Sequence, residues 1–324
     1  MIEHINSRYR PLTGVMSGQR KEDLGGSCRS NRQANSQALT APVETATRTY
    51  FPYLLLLFII SVLIAITPVR AGALEDKFRT SDEKSTIQID HSRWQGLLKT
   101  YVKQGSDGLN RVNYAAFKQM GRKSLKSYLN DLQAVDVPTL NKNEQFAYWA
   151  NLYNAQTIEI ILAHYPVKTI RDIDISPGIF ADGPWKKQVL TVGGIKISLD
   201  DIEHKILRGF FKDPRVHYAV NCASVGCPNL GRDAFTGPEI ESQLNASARA
   251  YVNSPRGVSV KGRRVTVSKI YSWFDEDFGN SERGVLAHIR KYADAGLAKD
   301  LKGLDDIYDY DYDWSLNDSR AHGL

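Results

Sequence analysis

Asn141-Lys142-Asn143-Glu144-Gln145-Phe146-Ala147-Tyr148-Trp149-Ala150-Asn151-Leu152-Tyr153-Asn154 opens the strongest helical pattern of the chain. Asn141 with Glu144 three residues on has the form of a capping box. Phe146, Trp149, Ala150, Tyr153, Thr157, Ile160 and Ile161 then recur at the spacing of one helix face until Pro166 stops the run. Upstream, Trp94, Leu97, Leu98, Tyr101 and Val102 keep the same period, as do Leu125, Tyr128, Leu129 and Leu132. Downstream the signals become those of hairpins: Lys187 to Val192, the Gly193-Gly194 turn and Ile195 to Ile197, and later Val258 to Val260, Lys261-Gly262 and Arg263 to Val267. Between the hairpins the spacing predicts a helix from about Leu199, with Ser198 and Asp201 at capping-box distance. It also predicts a short buried strand over Val216 to Cys222 and a helix over Leu244 to Val252. The pattern predicts one α+β domain over residues 87–318, with N-terminal helices and a mainly antiparallel sheet. No internal repeat is found.

The 324 residues include 42 Lys+Arg, 36 Asp+Glu, 24 Gly, 12 Pro and 3 Cys, a net charge of +6. Glycine and proline at ordinary levels exclude a collagen-like or low-complexity chain, and three cysteines exclude a disulfide scaffold of this length. Residues 1–49 are polar, without an apolar period, and read as a disordered tail. Residues 50–69 are almost wholly apolar, with no charge between Arg48 and Arg70, and long enough to cross a bilayer core as a helix. Two readings stay open. One is a transmembrane anchor with Tyr50 and Tyr53 at the interface; the other is a signal-peptide core, with Ala71-Gly72-Ala73 as the small-x-small cleavage motif. Both place the folded domain outside the cytoplasm, membrane-anchored or secreted to the periplasm after cleavage at Ala73. Eight basic and four acidic residues fall within residues 1–73. The positive excess therefore belongs mostly to the tail, and no nucleic-acid partner is expected.

Four features point to chemistry. Glu203 lies inside the stripe Leu199, Ile202, Ile206, Leu207 and Phe210, and a buried carboxylate must be protonated, paired or set in a cleft. It is either in a salt bridge to a core arginine or an active-site acid or base; His204 borders the same stripe. The second feature is the run from Asp213 to Pro228. A strand there would place Val216, Tyr218, Val220 and Cys222 on one face and His217, Ala219 and Asn221 on the other. Cys222 as nucleophile would then draw on His204 as base, and Cys227 on His217, because only a thiolate attacks. A small disulfide loop is the competing reading, and metal binding is disfavoured by the C-x4-C spacing. Third, Asn151 and Asn154 share a helix face as buried amides that hold a loop or orient a substrate. Fourth, Tyr308 to Trp314 alternates aromatic and Asp residues, leaving an acidic face for solvent or calcium. Phosphate loops, dinucleotide fingerprints, H-E-x-x-H and G-x-S-x-G are absent; neither a cofactor nor a metal is expected.

These segments together resemble the family known as domain of unknown function 547. The matching pieces are Phe146 to Ala155, Ser198-Leu199-Asp200-Asp201-Ile202-Glu203-His204 through Arg208, Asp213-Pro214-Arg215 with His217, Asn221-Cys222-Ala223-Ser224 with Cys227-Pro228, and Tyr312 to Asn317. The resemblance spans roughly residues 90–318 and leaves out the tail and the apolar segment. It implies no particular activity. It marks Asn151, Asn154, Glu203, His204, His217, Cys222 and Cys227 as one shared site, and the plant relatives it implies, in a reducing compartment, argue against an obligatory disulfide across the family.

Two functions are carried forward. The first is an exported or membrane-tethered thiol-dependent hydrolase or acyl transferase acting on an unknown substrate, with Cys222 or Cys227 attacking, His204 or His217 as base, Glu203 beside them and the two asparagines orienting groups. The second is a non-catalytic envelope interaction module with a Cys222–Cys227 disulfide.

Overall fold

The computed structural model describes residues 72–178 and 182–322. The expected tail over 1–49 and the apolar segment over 50–69 lie outside the described residues; among the described residues no helix is long and apolar enough to cross a membrane. The architecture is mixed α and β. After a short helix over Ala73–Phe78, helices α1 (Ser92–Tyr101), α2 (Arg122–Gln133) and α3 (Lys142–His164) lie where the periodicity places them. The Asn141 side chain accepts the Glu144 N–H at 3.0 Å and starts α3. Glu144 does not close the box. Its carboxylate turns away to accept the N–H groups of Ile89 at 2.8 Å and Gly237 at 3.0 Å, which satisfies a buried charge. Nor is α3 buried along one stripe: every residue from Glu144 to Leu162 is buried, because α2, a later helix and the helix carrying Glu203 surround it.

Three small sheets replace the single, mainly antiparallel sheet expected. Strands β1 (Val102–Gln104) and β2 (Asn110–Val112) form one antiparallel pair, and β3 (Leu190–Val192) and β4 (Ile195–Ile197) another. Gly193 and Gly194 turn the second pair with φ of 56° and 81°, a conformation in which both central residues favour glycine. The third sheet holds β5 (Val258–Lys261), β6 (Arg264–Ser268) and β7 (Asp309–Asp311). Its hairpin turns one residue later than expected, since Lys261 pairs with Arg264. Strand β7 runs parallel to β6, with Val267 opposite Tyr310, because the chain returns to this edge only after a long helical excursion.

The helix expected from Leu199 is present, opened by reciprocal bonds: the Ser198 N–H to Asp201 Oδ2 at 2.9 Å and the Asp201 N–H to Ser198 Oγ at 3.1 Å. From Asp201 to Phe211 it is wound as a π-helix, a form frequent at functional sites. Its buried face is Asp201, Ile202, Glu203, Ile206 and Leu207, with Phe210 only partly covered. The expected strand Val216 to Cys222 is instead a single turn of helix, α4 (Val216–Ala219), followed by extended Val220. Just before it, the Asp213 carboxylate accepts the Arg215 N–H at 2.8 Å, and Pro214 sits between them at the entry to the helix.

Two apolar cores result. One surrounds α3; the other lies under β5, β6 and the helix Glu282–Tyr292. Helix α5 (Ile240–Val252) serves both, giving Ile240 and Leu244 to the first and Ala248, Tyr251 and Val252 to the second. Helix α4 does likewise, with Val216 and Ala219 in the first and Tyr218 in the second. The cysteine loop leaves α4 along this seam.

Candidate functional site: the Cys222–Cys227 loop

The loop is fixed from α3. Asn154 donates to the Ala219 carbonyl at 2.8 Å and accepts the Asn221 N–H at 2.8 Å. Asn221 then closes the loop on itself, donating from its amide to the Pro228 carbonyl at 2.6 Å and accepting the Ala223 N–H at 2.9 Å. Ala223 is left with φ of 61°, a left-handed conformation that costs a non-glycine residue roughly 1–3 kcal/mol. The far side is held by backbone: the N–H groups of Val225 and Gly226 donate to the carbonyls of Ser315 and Asp313, each at 2.8 Å, and the Asn317 N–H donates to the Ala223 carbonyl at 3.0 Å. From the second core, Tyr251 donates to the Gly226 carbonyl at 2.7 Å and Arg256 to the Cys227 carbonyl at 2.9 Å.

This scaffold sets the two sulfurs in contact, 2.6 Å apart, both as free thiols. Cys227 is buried, whereas Cys222 is partly open to solvent. The Cys222 sulfur also lies 3.2 Å from Ser224 Oγ and 3.0 Å from the Tyr312 hydroxyl, and those two hydroxyls are 2.8 Å apart. The Cys227 sulfur accepts the Cys222 backbone N–H at 3.0 Å. Burial pushes the Cys222 thiol well up, and its neighbour's charge adds to this. Burial also opposes charge on Cys227, but hydrogen bonds from Cys222, Tyr312, the Cys222 N–H and Ser224 outweigh it and bring that thiol down. The pair thus gives up one proton readily and holds the other.

The expected base pairings are not formed. Among the described residues, the partners of the Cys222 sulfur are Cys227, Ser224 and Tyr312, and neither His204 nor His217 reaches it. His217 is buried, and its Nε2 donates to Asp277 Oδ2 at 2.7 Å while Phe274 stacks on the ring at a centroid separation of 4.2 Å. Burial holds this histidine below its ordinary value against the pull of Asp277 and Glu203. Burial also opposes charge on Asp277, but bonds from His217 and Arg208 bring its carboxyl down to about 2. A neutral His217 still donates that bond, so the fixed positive charge beside the carboxylate is Arg208, 2.5 Å away. His204 lies at the rim, with Nδ1 3.0 Å from Arg208 and Nε2 3.5 Å from Asp200.

Glu203 is buried as the stripe predicts, but its partner is the Tyr153 hydroxyl, which donates to it at 2.9 Å, and no arginine. Asn151 is paired at both ends with the backbone of Phe235, at 2.7 and 3.0 Å. With Asn154 bound likewise, the two amides act as positioning groups. Sequence reasoning missed Ser224, Tyr312 and Asp277. The aromatic–acid alternation held the signal for Tyr312, since it separates a tyrosine face from the acidic one. Asp309, Asp311 and Asp313 are exposed and each accepts a bond from its own following residues. Among the described residues no group of three His, Cys, Asp or Glu side chains is arranged to hold a metal ion.

An open cleft of about 640 Å³ lies apart from the sulfurs, lined by Asp213, Arg215, Glu241, Arg249 and Lys291 among others; Arg215 there is spent on Asp213 and Glu241. No curated protein and no solved structure matches the chain. Residues 137–252 match the family model described as "Protein of unknown function, DUF547", so over α3, the π-helix, the cysteine loop and α5 the resemblance read from the sequence holds.

Proposed function

We propose that the Cys222–Cys227 loop is a thiol–disulfide exchange site. The observation that carries this is the sulfur contact at 2.6 Å between one partly open and one buried thiol. Hydrolysis or acyl transfer by the same thiol would call for a base at the sulfur, and the two histidines are engaged elsewhere. Exchange calls for only the two thiols. With Cys227 starting as the thiolate of the pair, Cys222 attacks one sulfur of a disulfide R–S–S–R as its proton passes to Cys227; a Cys222–S–R bond forms and R–S⁻ leaves. Cys227 then gives its proton to R–S⁻ and attacks Cys222, releasing the second R–S⁻, which takes a proton from water, and closing the Cys222–Cys227 disulfide. A domain outside the cytoplasm, anchored by residues 50–69 or released after Ala73, would meet such disulfides in its surroundings.

The test is thiol counting and intact mass after incubation of the reduced, folded protein with oxidised glutathione, with Cys28 replaced by Ser in every form compared so that only Cys222 and Cys227 carry thiols. The wild type loses both thiols together, without retaining glutathione, and regains them with dithiothreitol. Cys227→Ser stalls as the glutathione adduct on Cys222, and Cys222→Ser stays unreacted. A wild-type protein that keeps both thiols, or that holds a stable glutathione adduct, overturns the proposal; a disulfide that resists dithiothreitol in the folded state assigns the pair to a purely structural role.

A further inference from the structure

Resting on that exchange site, we infer that its substrate is a disulfide flanked by an aromatic group, seated on a wall of rings beside Cys222. Tyr312 belongs to both structures. Its hydroxyl lies 3.0 Å from the Cys222 sulfur, and its ring packs on Trp273 at 4.8 Å and on Trp314 at 4.7 Å between centroids. Trp273 and Trp314 meet at 5.5 Å, and Trp185 extends the row at 5.9 Å from Trp314. These four rings and Cys222 are all partly open to solvent. Of the five tryptophans, Trp94 and Trp149 are fully buried, so the three half-open ones are grouped at the place where a partly open thiol emerges.

The wall also covers the seam: Trp185 and Trp314 pack on the first core, Trp273 and Tyr312 on the second. Contiguous exposed aromatic surface marks a contact site. The flat faces favour another ring in offset or edge-on contact. A ligand whose disulfide reaches Cys222 must pass Tyr312, so a flat apolar group next to its sulfur falls on Trp273 and Trp314. Exposed Asp311 and Asp313 flank the wall, and the Arg171 guanidinium, paired with Asp182, lies over the Trp314 ring at 5.4 Å, so the wall carries charges of both signs and neutral probes read its rings alone.

Exchange rates of the reduced full chain, with Cys28 replaced by Ser throughout so that only the pair reacts, with two neutral probes test this: 4,4′-dithiodipyridine, which is aromatic, and bis(2-hydroxyethyl) disulfide, which is not. Trp273→Ala and Trp314→Ala should each slow the aromatic probe by roughly threefold to tenfold and leave the hydroxyethyl probe unchanged. Trp314→Phe should restore most of the aromatic rate. A variant that unfolds accelerates both probes, and the Phe variant then decides. Equal slowing of both probes, or no effect on either, overturns the aromatic wall while leaving exchange intact. A wild type that reacts with neither probe overturns the exchange site itself, and the wall's role with it.

Discussion

At His91 and His288 burial holds the imidazole far below its ordinary value, to about 4 in each case, with Asp90 opposing at the first and Lys291 assisting at the second. His91 meets the Tyr128 hydroxyl at 2.6 Å through Nδ1, and its Nε2 has no hydrogen-bond partner, so a protonated ring would lack an acceptor for its second N–H. In the unfolded chain both rings titrate near 6.5. Between those limits the unfolded state binds more protons, so stability is complete above about 6.5 and is lost as pH falls toward 4. For His91 the full loss is roughly 3 kcal/mol. Urea unfolding across this window should show that slope, and His91→Phe should flatten it by one proton. Tyr153→Phe is a second test at this scale. It leaves the Glu203 carboxylate buried without its donor and should lower stability by about 1–3 kcal/mol in the same assay. That Glu203 is buried is readable in its helix stripe. Its partner is not, because Tyr153 lies 50 residues earlier and nothing local links them.

Elements that make their own signals were the legible ones. Asn141 caps α3, Gly193-Gly194 turns β3 into β4, and both work through residues within a few positions of each other. Val216, Tyr218 and Val220 alternate like a strand, yet the chain there winds into α4, because the stronger instruction, Asp213-Pro214 at a helix entry, lies just before them. The π-winding of Asp201–Phe211 leaves no local mark, and β7 is specified by a partner strand far upstream. Contact between elements gives a sharper test at Gly226. A Cβ there would stand 2.8 Å from the Asp313 nitrogen and 3.0 Å from the Tyr312 ring. Gly226→Ala should therefore push the 312–313 segment off the cysteine loop and slow disulfide exchange with every probe, with only a small change in melting temperature. At Gly237 the crowding is against Glu144, whose Cα and N would each lie 3.0 Å from an added Cβ. Gly237→Ala should break the ties from Glu144 to Ile89 and Gly237 and cost about 3 kcal/mol in urea unfolding.

Across the whole molecule, the segment from Tyr308 to Ser319 acts as the fastener. It adds β7 to β6, and the Val112 N–H donates to the Asn317 carbonyl at 2.8 Å. Tyr114 donates to the Asn317 side chain at 2.6 Å, and Tyr165 to Asp318 at 2.6 Å. With α4 and α5 shared between the two cores, this predicts one cooperative thermal transition by circular dichroism for the described residues. Removing residues 309–322 should broaden or abolish it, whereas two separate transitions in the intact protein would show that the cores unfold independently.

Cys222 and Cys227 are 5 residues apart, but Tyr312 stands 90 residues from Cys222. The sulfurs can therefore meet in a chain that has not yet folded, while the hydroxyl that tunes them arrives only when a far longer loop has closed. An unfinished chain and a finished one carry the same two thiols with different reactivity. Folding itself is thus the clock that decides when this pair begins to behave as a site.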